Sequence, residues 1–268
     1  MLVGILSLFA ASSVAFHAPA LRAHSLAPTL RVQASPVALF DFFKAEPEVA
    51  PEPALVRGIG DGRALPSPSG INTLPDIQQA AIVIGILAAI GAGSSILAGP
   101  IFDAVRGTFL WNLSFPTWPI LGIIYLAAGI AHFTEADGFE NITPPDGTWG
   151  FFYTPFSPRT NVYWTGVVEI FGGAWMLFGA GAAAAGVNLP AALGPVVSDA
   201  ALTLWLLTWA VTPANIYALT HGANFPLDLE TPPKAHAIRL AFQAVLLAMF
   251  WELAQPTLID AQYNLGLM

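Results

Sequence analysis

Five apolar stretches run along the last two-thirds of the chain, roughly from 77 to 99, 117 to 134, 161 to 185, 199 to 220 and 236 to 255. Each is close to the ~20 residues that a helix needs to cross a bilayer. The second, about 18 residues long, is the shortest, and Trp111 and Trp118 near its start fit interfacial anchors. No stretch alternates apolar and polar positions over ten residues, so the pattern predicts helices and argues against a β-barrel. The predicted fold is all-α, a polytopic membrane helical bundle. One transmembrane helix at 76–99 precedes a four-helix domain at 117–255, and a tail follows at 256–268.

Composition agrees. The 268 residues are 55% hydrophobic and only 10% charged, against about 25% charged in soluble domains, and the mean hydropathy is +0.64. The net charge of -8 argues against a nucleic-acid partner, which would need a basic surface. With no cysteine, the chain supplies no disulfide, thiolate metal site or dithiol centre.

Charge changes sign along the chain. Residues 1–40 carry Arg22 and Arg31 and no acid, whereas all 17 acids come later. LVGILSLFA at 2–10 is too short to span, and Ser13-Val14-Ala15 offers small residues for a signal-peptide cut. Residues 1–15 therefore read as a signal peptide. The acid-free FHAPALRAHSLAPTLRVQA at 16–34 reads as a transit peptide. Together they resemble the bipartite leaders of plastid proteins in algae with red-lineage complex plastids. That resemblance implies a plastid membrane, the thylakoid foremost, with an ordinary secretory leader as the alternative. Residues 35–75 are Pro/Gly-studded and lack an apolar period, so a flexible arm is expected.

Basic residues set the expected orientation. Lys44, Arg57, Arg63, Arg159, Lys234 and Arg239 fall on the arm's side, and only Arg106 falls on the other; in a plastid the arm would face the stroma. Ala81, Gly85, Ala89 and Gly93 form a small-residue stripe on the first helix. It suits close packing, either inside the bundle or against a partner subunit. The 135–160 loop opens acidic and then gathers Trp149, Phe151, Phe152, Tyr153 and Phe156. This cluster fits the membrane interface, or a lid over the bundle.

Ionisable groups inside spanning helices are costly, on the order of 2.5–3.5 kcal/mol at the centre, and mark candidate sites. Glu169 lies about eight residues into its stretch with no local partner. His132, Asn215, His221 and His236 fall on the same side, as do Arg239 and Gln243; Tyr125 is seven residues before His132. These eight residues are the expected ligand-binding set. Glu169 and Arg239 could pair as a brace or bind a ligand. Haem, chlorophyll and a quinone all remain open as ligands, and no metal spacing is present. No catalytic motif occurs in the chain, so an enzyme is disfavoured.

AGIAHF at 128–133, YWTGVVEIFGG at 163–173, PANIYALTHG at 213–222 and RLAFQAVLL at 239–247 resemble the four consecutive helices of the DoxX family. The resemblance implies a four-helix membrane bundle with His132, Glu169 and Asn215 as its polar core, linked in some members to redox homeostasis. The resulting expectation is a redox-associated or accessory subunit holding a quinone-like or lipid head group. A pigment-associated subunit of a photosynthetic complex is the alternative, and a small-solute transporter a weaker one.

Overall fold

The computed structural model describes residues 67–109, 111, 117–187, 196–223 and 233–265. The leader, and the arm up to residue 66, lie outside these, as does the side chain of Trp118. Among the described residues the regular structure is entirely helical: α1 (Asp76–Ile96), α2 (Thr117–Thr134), the short α3 (Ala136–Asn141), α4 (Pro158–Ala184), α5 (Val196–His221) and α6 (Pro233–Asn264). Four spans are long and apolar enough to cross a membrane, namely Asp76–Val105, Pro158–Ala184, Val196–His221 and Pro233–Asn264, and α2 is a shorter apolar helix. These helices support an integral membrane protein in a lipid bilayer.

Proline shapes three of the helices in different ways. Pro100 sits in a π-turn at Leu97–Ile101, which takes up the lost amide and lets the span run on to Val105. Pro158 opens α4 at its first position, where no intrahelical amide bond is lost, after Ser157, whose Oγ accepts from the Thr160 amide at 3.2 Å. Pro256 does not end α6: the helix passes the predicted boundary at 255 and reaches Asn264, because one missing amide removes one bond from a helix that is otherwise intact.

α2, α4, α5 and α6 pack in sequence around one core. Leu121, Tyr125, Met176, Leu204, Leu207, Leu246 and Phe250 are all buried in it, and Tyr125 meets Phe250 edge to face at 5.2 Å. α1 lies outside this unit, against α6 and the 148–150 turn. Val83 and Ile90 of α1 join Trp149, Tyr217, Leu240 and Leu247 in a second core. Ala81, Gly85 and Ala89 of the small-residue stripe are exposed, so most of it does not pack inside the bundle.

The closest helix pair is α2 with α4. A Cβ on Gly129 would stand 2.7 Å from the Gly166 carbonyl, and one on Gly173 would stand 2.7 Å from the Gly122 carbonyl. Two glycines seven residues apart on each helix thus form one seam. The final part of the expected flexible arm is also seated. Ser67 is buried and gives its hydroxyl to the Thr220 carbonyl at 2.8 Å, while its amide donates to Asn72 Oδ1.

Candidate functional site

A cavity of about 410 Å³ opens among α2, α3, the 142–156 loop and the facing parts of α4, α5 and α6. Six of the eight predicted residues line it: Tyr125, His132, Glu169, Asn215, Arg239 and Gln243. His221 and His236 do not. His221 stacks on Tyr217 with ring centroids 4.6 Å apart, and Thr220 Oγ lies 2.8 Å from its Nδ1. His236 is buried in its helix and is not part of the cavity wall. Both lie at the predicted end of the bundle and on the same helical faces as cavity residues, His236 with Arg239 and Gln243 and His221 with Ala214, but the cavity wall ends at Asn215 on α5 and begins at Arg239 on α6, short of both histidines.

The polar groups fall into two sets. In the first, His132 Nδ1 is 3.2 Å from Glu169 Oε2 and 2.9 Å from the Ala128 carbonyl. A carbonyl only accepts, so Nδ1 carries the proton and donates it to Ala128. Glu169 Oε2 is sealed from the surface and gains charge proximity without an aligned hydrogen bond. Phe139 of α3 stacks on the imidazole at 3.8 Å and holds its plane. Glycine is required at Gly166, because a Cβ there would stand 2.6 Å from the His132 Cβ. The glycine seam thereby brings the histidine to the acid.

The second set starts at Arg239, whose Nη2 donates to Asn215 Oδ1 at 2.9 Å. Asn215 Nδ2 in turn donates to Gln243 Oε1 at 3.3 Å. Gln243 Nε2 donates to the Thr208 carbonyl and to Thr212 Oγ1. Thr208 gives its own hydroxyl to the Leu204 carbonyl, so it accepts from Tyr125 Oη at 2.9 Å. This chain surrounds Pro213, and it supplies local partners where a proline weakens the backbone ladder of a buried helix. Of the two readings of Glu169 and Arg239, brace or ligand site, the direct brace does not form: Glu169 lies beside His132 and Arg239 bonds Asn215.

The cover comes from the acidic and aromatic loop. Phe139, Ile142, Phe152, Tyr153 and Phe156 all line the cavity. Tyr153 is 71% exposed and Phe156 51%, so the rim is aromatic and open to the surroundings. Arg159 at the start of α4 clamps α3 through Asp137 and Glu140. Behind the cover, Trp149 adopts a left-handed backbone (φ 56°) between Gly147 (φ 83°) and Gly150 (φ 75°). That conformation is strained for a tryptophan and persists only where packing over-determines it. Here the indole is 3% exposed and its Nε1 donates to Thr220 Oγ1 at 3.0 Å. Sequence reasoning missed this turn, though Gly147 and Gly150 flanking a tryptophan were a signal for it.

Among the described residues no group of three or more His, Cys, Asp or Glu side chains is placed to hold a metal. The family model that matches the chain is described as a domain of unknown function (DUF8561) and covers residues 121–254, half of the chain. Its bounds fall within the four packed helices α2, α4, α5 and α6 and leave α1 out. The expected DoxX resemblance is therefore corrected. Its short motifs, paired glycines beside a glutamate and a histidine at a helix end, follow from the close seam and the buried pair and are not specific to one family. No curated protein and no solved structure matches the chain.

Proposed function

The chain belongs to the DUF8561 family, and we propose that it is an integral membrane protein that holds a small amphiphile, a quinone-like molecule or a lipid head group, in the cavity between its helices. The observation behind this reading is the cavity's polarity. Glu169, His132 and Arg239 line it together with the uncharged polar groups of Tyr125, Asn215 and Gln243, and the exposed rings of Tyr153 and Phe156 stand at its rim. Ionisable groups at this depth are costly without a purpose, and an aromatic rim suits entry from the bilayer interface. The role is binding, either as a carrier or as an accessory subunit to a redox partner, since no catalytic motif occurs in the chain.

The leader at 1–34 supports a plastid membrane, the thylakoid foremost, with the arm in the stroma. N-terminal sequencing of the mature protein should begin at Ser35; retention of the leader argues against this address.

The test of binding is extraction of the protein purified in mild detergent. The wild type should carry a stoichiometric amphiphile. Ala210→Trp, at an exposed position on the cavity wall, should insert normally and lose it. Equal small-molecule content in the two proteins would refute the pocket reading.

A further inference from the structure

Two segments far apart in the chain meet at Thr220, which is fully buried one residue before the end of α5. Its carbonyl is among the last four of the helix, which have no partner further along it. Ser67 Oγ donates to that carbonyl at 2.8 Å and Ser69 Oγ at 3.3 Å. The Thr220 hydroxyl oxygen accepts from Trp149 Nε1 at 3.0 Å. One residue therefore holds both the segment before α1 and the turn behind the cavity cover.

Residues 67–75 are built to reach this point. The Ser67 amide donates to Asn72 Oδ1 at 2.8 Å, and a 3₁₀ turn at Ile71–Thr73 follows Gly70 (φ 68°). Gln79 Nε2 donates to the Leu74 carbonyl at 2.7 Å and so ties the segment to the first turn of α1. Pro68 lies against Gly222, where a Cβ would stand 2.8 Å from Pro68 Cδ. The glycine lets the segment sit this close to the helix end.

The turn that shares Thr220 is under strain. Trp149 keeps its left-handed backbone (φ 56°) only where its neighbours hold it. Those neighbours are Thr220, Val83 and Ile90 of α1, and Asp76, whose Cβ stands 3.0 Å from the place of a Cβ on Gly150. Three residues on, Phe152 meets Trp149 edge to face at 5.8 Å and lines the cavity beside Tyr153. Residues 67–75 and α1 lie outside 121–254, the part that the family model covers.

We propose that residues 67–75 are a strap on the cavity cover. Seated at Thr220, the strap keeps the 142–156 loop closed. Withdrawn, it takes support from the strained turn at Trp149, and the loop lifts to admit or discharge the amphiphile. This device regulates the site proposed above and rests on that reading.

The test uses the absence of native cysteine. Ile142, 7% exposed, lies in the loop and lines the cavity, whereas Val196, 2% exposed, lies outside it at the opposite end of α5 from Thr220. Ile142→Cys and Val196→Cys are made separately in the full chain, reconstituted in phosphatidylcholine nanodiscs. Labelling by a water-soluble maleimide is timed with and without Ser67→Ala combined with Ser69→Ala. Neither serine makes a hydrogen bond to the loop. Bonds present only in the closed state set the open fraction, so the double change should speed labelling of Ile142→Cys about tenfold and that of Val196→Cys by less than about twofold.

Unchanged labelling of Ile142→Cys overturns the strap, and so does an equal rise at both positions, which would mark general loosening. If the double change prevents folding, Asn72→Ala, which removes the acceptor of the Ser67 amide, is judged by the same two rates. The labelling needs no ligand. The amphiphile reading therefore fails separately, through equal small-molecule content in the wild type and Ala210→Trp.

Discussion

His132 Nδ1 lies 3.2 Å from Glu169 Oε2 across the α2–α4 seam, and each side chain is 9% exposed. This contact joins two helices in the half of the bundle that holds the cavity. It exists because Gly166, one turn before the acid, has no Cβ to hold the histidine away.

The glycine seam should tolerate no added methyl. Gly129→Ala and Gly173→Ala place a Cβ within 2.7 Å of backbone atoms on the facing helix, and overpacking of this kind costs about 1–3 kcal/mol. Gly85→Ala, with nothing within 4 Å of the new Cβ, is the control. Thermal unfolding in detergent should show a clear drop for the first two and none for the third.

Removing one member of the buried pair should cost more than removing both. His132→Ala empties the space beside the buried Glu169 Oε2 and leaves that polar atom without its neighbour, at about 1–3 kcal/mol. His132→Ala combined with Glu169→Gln should recover part of that loss. A double-mutant cycle on unfolding free energy measures the coupling, and simple additivity would show that the pair does not act as a unit.

Trp149 tests packing against strain. Trp149→Phe loses the indole bond to Thr220 and should cost about 1 kcal/mol. Trp149→Gly relieves a left-handed backbone worth about 1–3 kcal/mol but empties a buried site, at about 3–5 kcal/mol. The glycine variant should therefore be the less stable of the two in chemical unfolding. The reverse order would mean that strain dominates at this turn.

The clamp on the cover should act on rates. Arg159 ties α3 to α4 through Asp137 and Glu140 at an exposed position, so Arg159→Ala should leave the melting temperature nearly unchanged. Release of the bound amphiphile should become several-fold faster, and high salt should speed the wild type in the same direction. Stopped-flow dilution of a loaded nanodisc sample reads both effects.

Gln243 is the node of the second polar set. Gln243→Leu should remove the acceptor of Asn215 Nδ2 and the donor shared by the Thr208 carbonyl and Thr212 Oγ1 and cost about 1–3 kcal/mol through polar groups left unsatisfied. Gln243→Glu, which keeps an acceptor for Asn215 but sets an oxygen against the Thr208 carbonyl where an amide donated, should recover little of that loss in the same unfolding assay.

Much of this was legible along the chain. Runs of apolar residues in a 268-residue sequence declare spanning helices, because a bilayer forces every backbone group to bond within its own helix. Rare ionisable residues inside such runs declare themselves as well, and Tyr125, His132, Glu169, Asn215, Arg239 and Gln243 all line one cavity. The family likeness was not legible, since short glycine and acid motifs recur wherever helices pack closely. Neither the seated segment at Ser67 nor the strained Trp149 was foreseen, because each depends on contact with Thr220, 153 and 71 residues away respectively.

What the sequence determined by itself is therefore the helices and their membrane setting, which follow from local hydropathy and the rise per residue. Only the tertiary structure decided which polar groups meet. Helix rotation faces Glu169 to His132 and Arg239 to Asn215, and the cavity closes before it reaches His221 and His236. Rotation is set by how the side chains of α2, α4, α5 and α6 fit together across the chain, and a hydropathy pattern that reads one helix at a time carries no record of that fit.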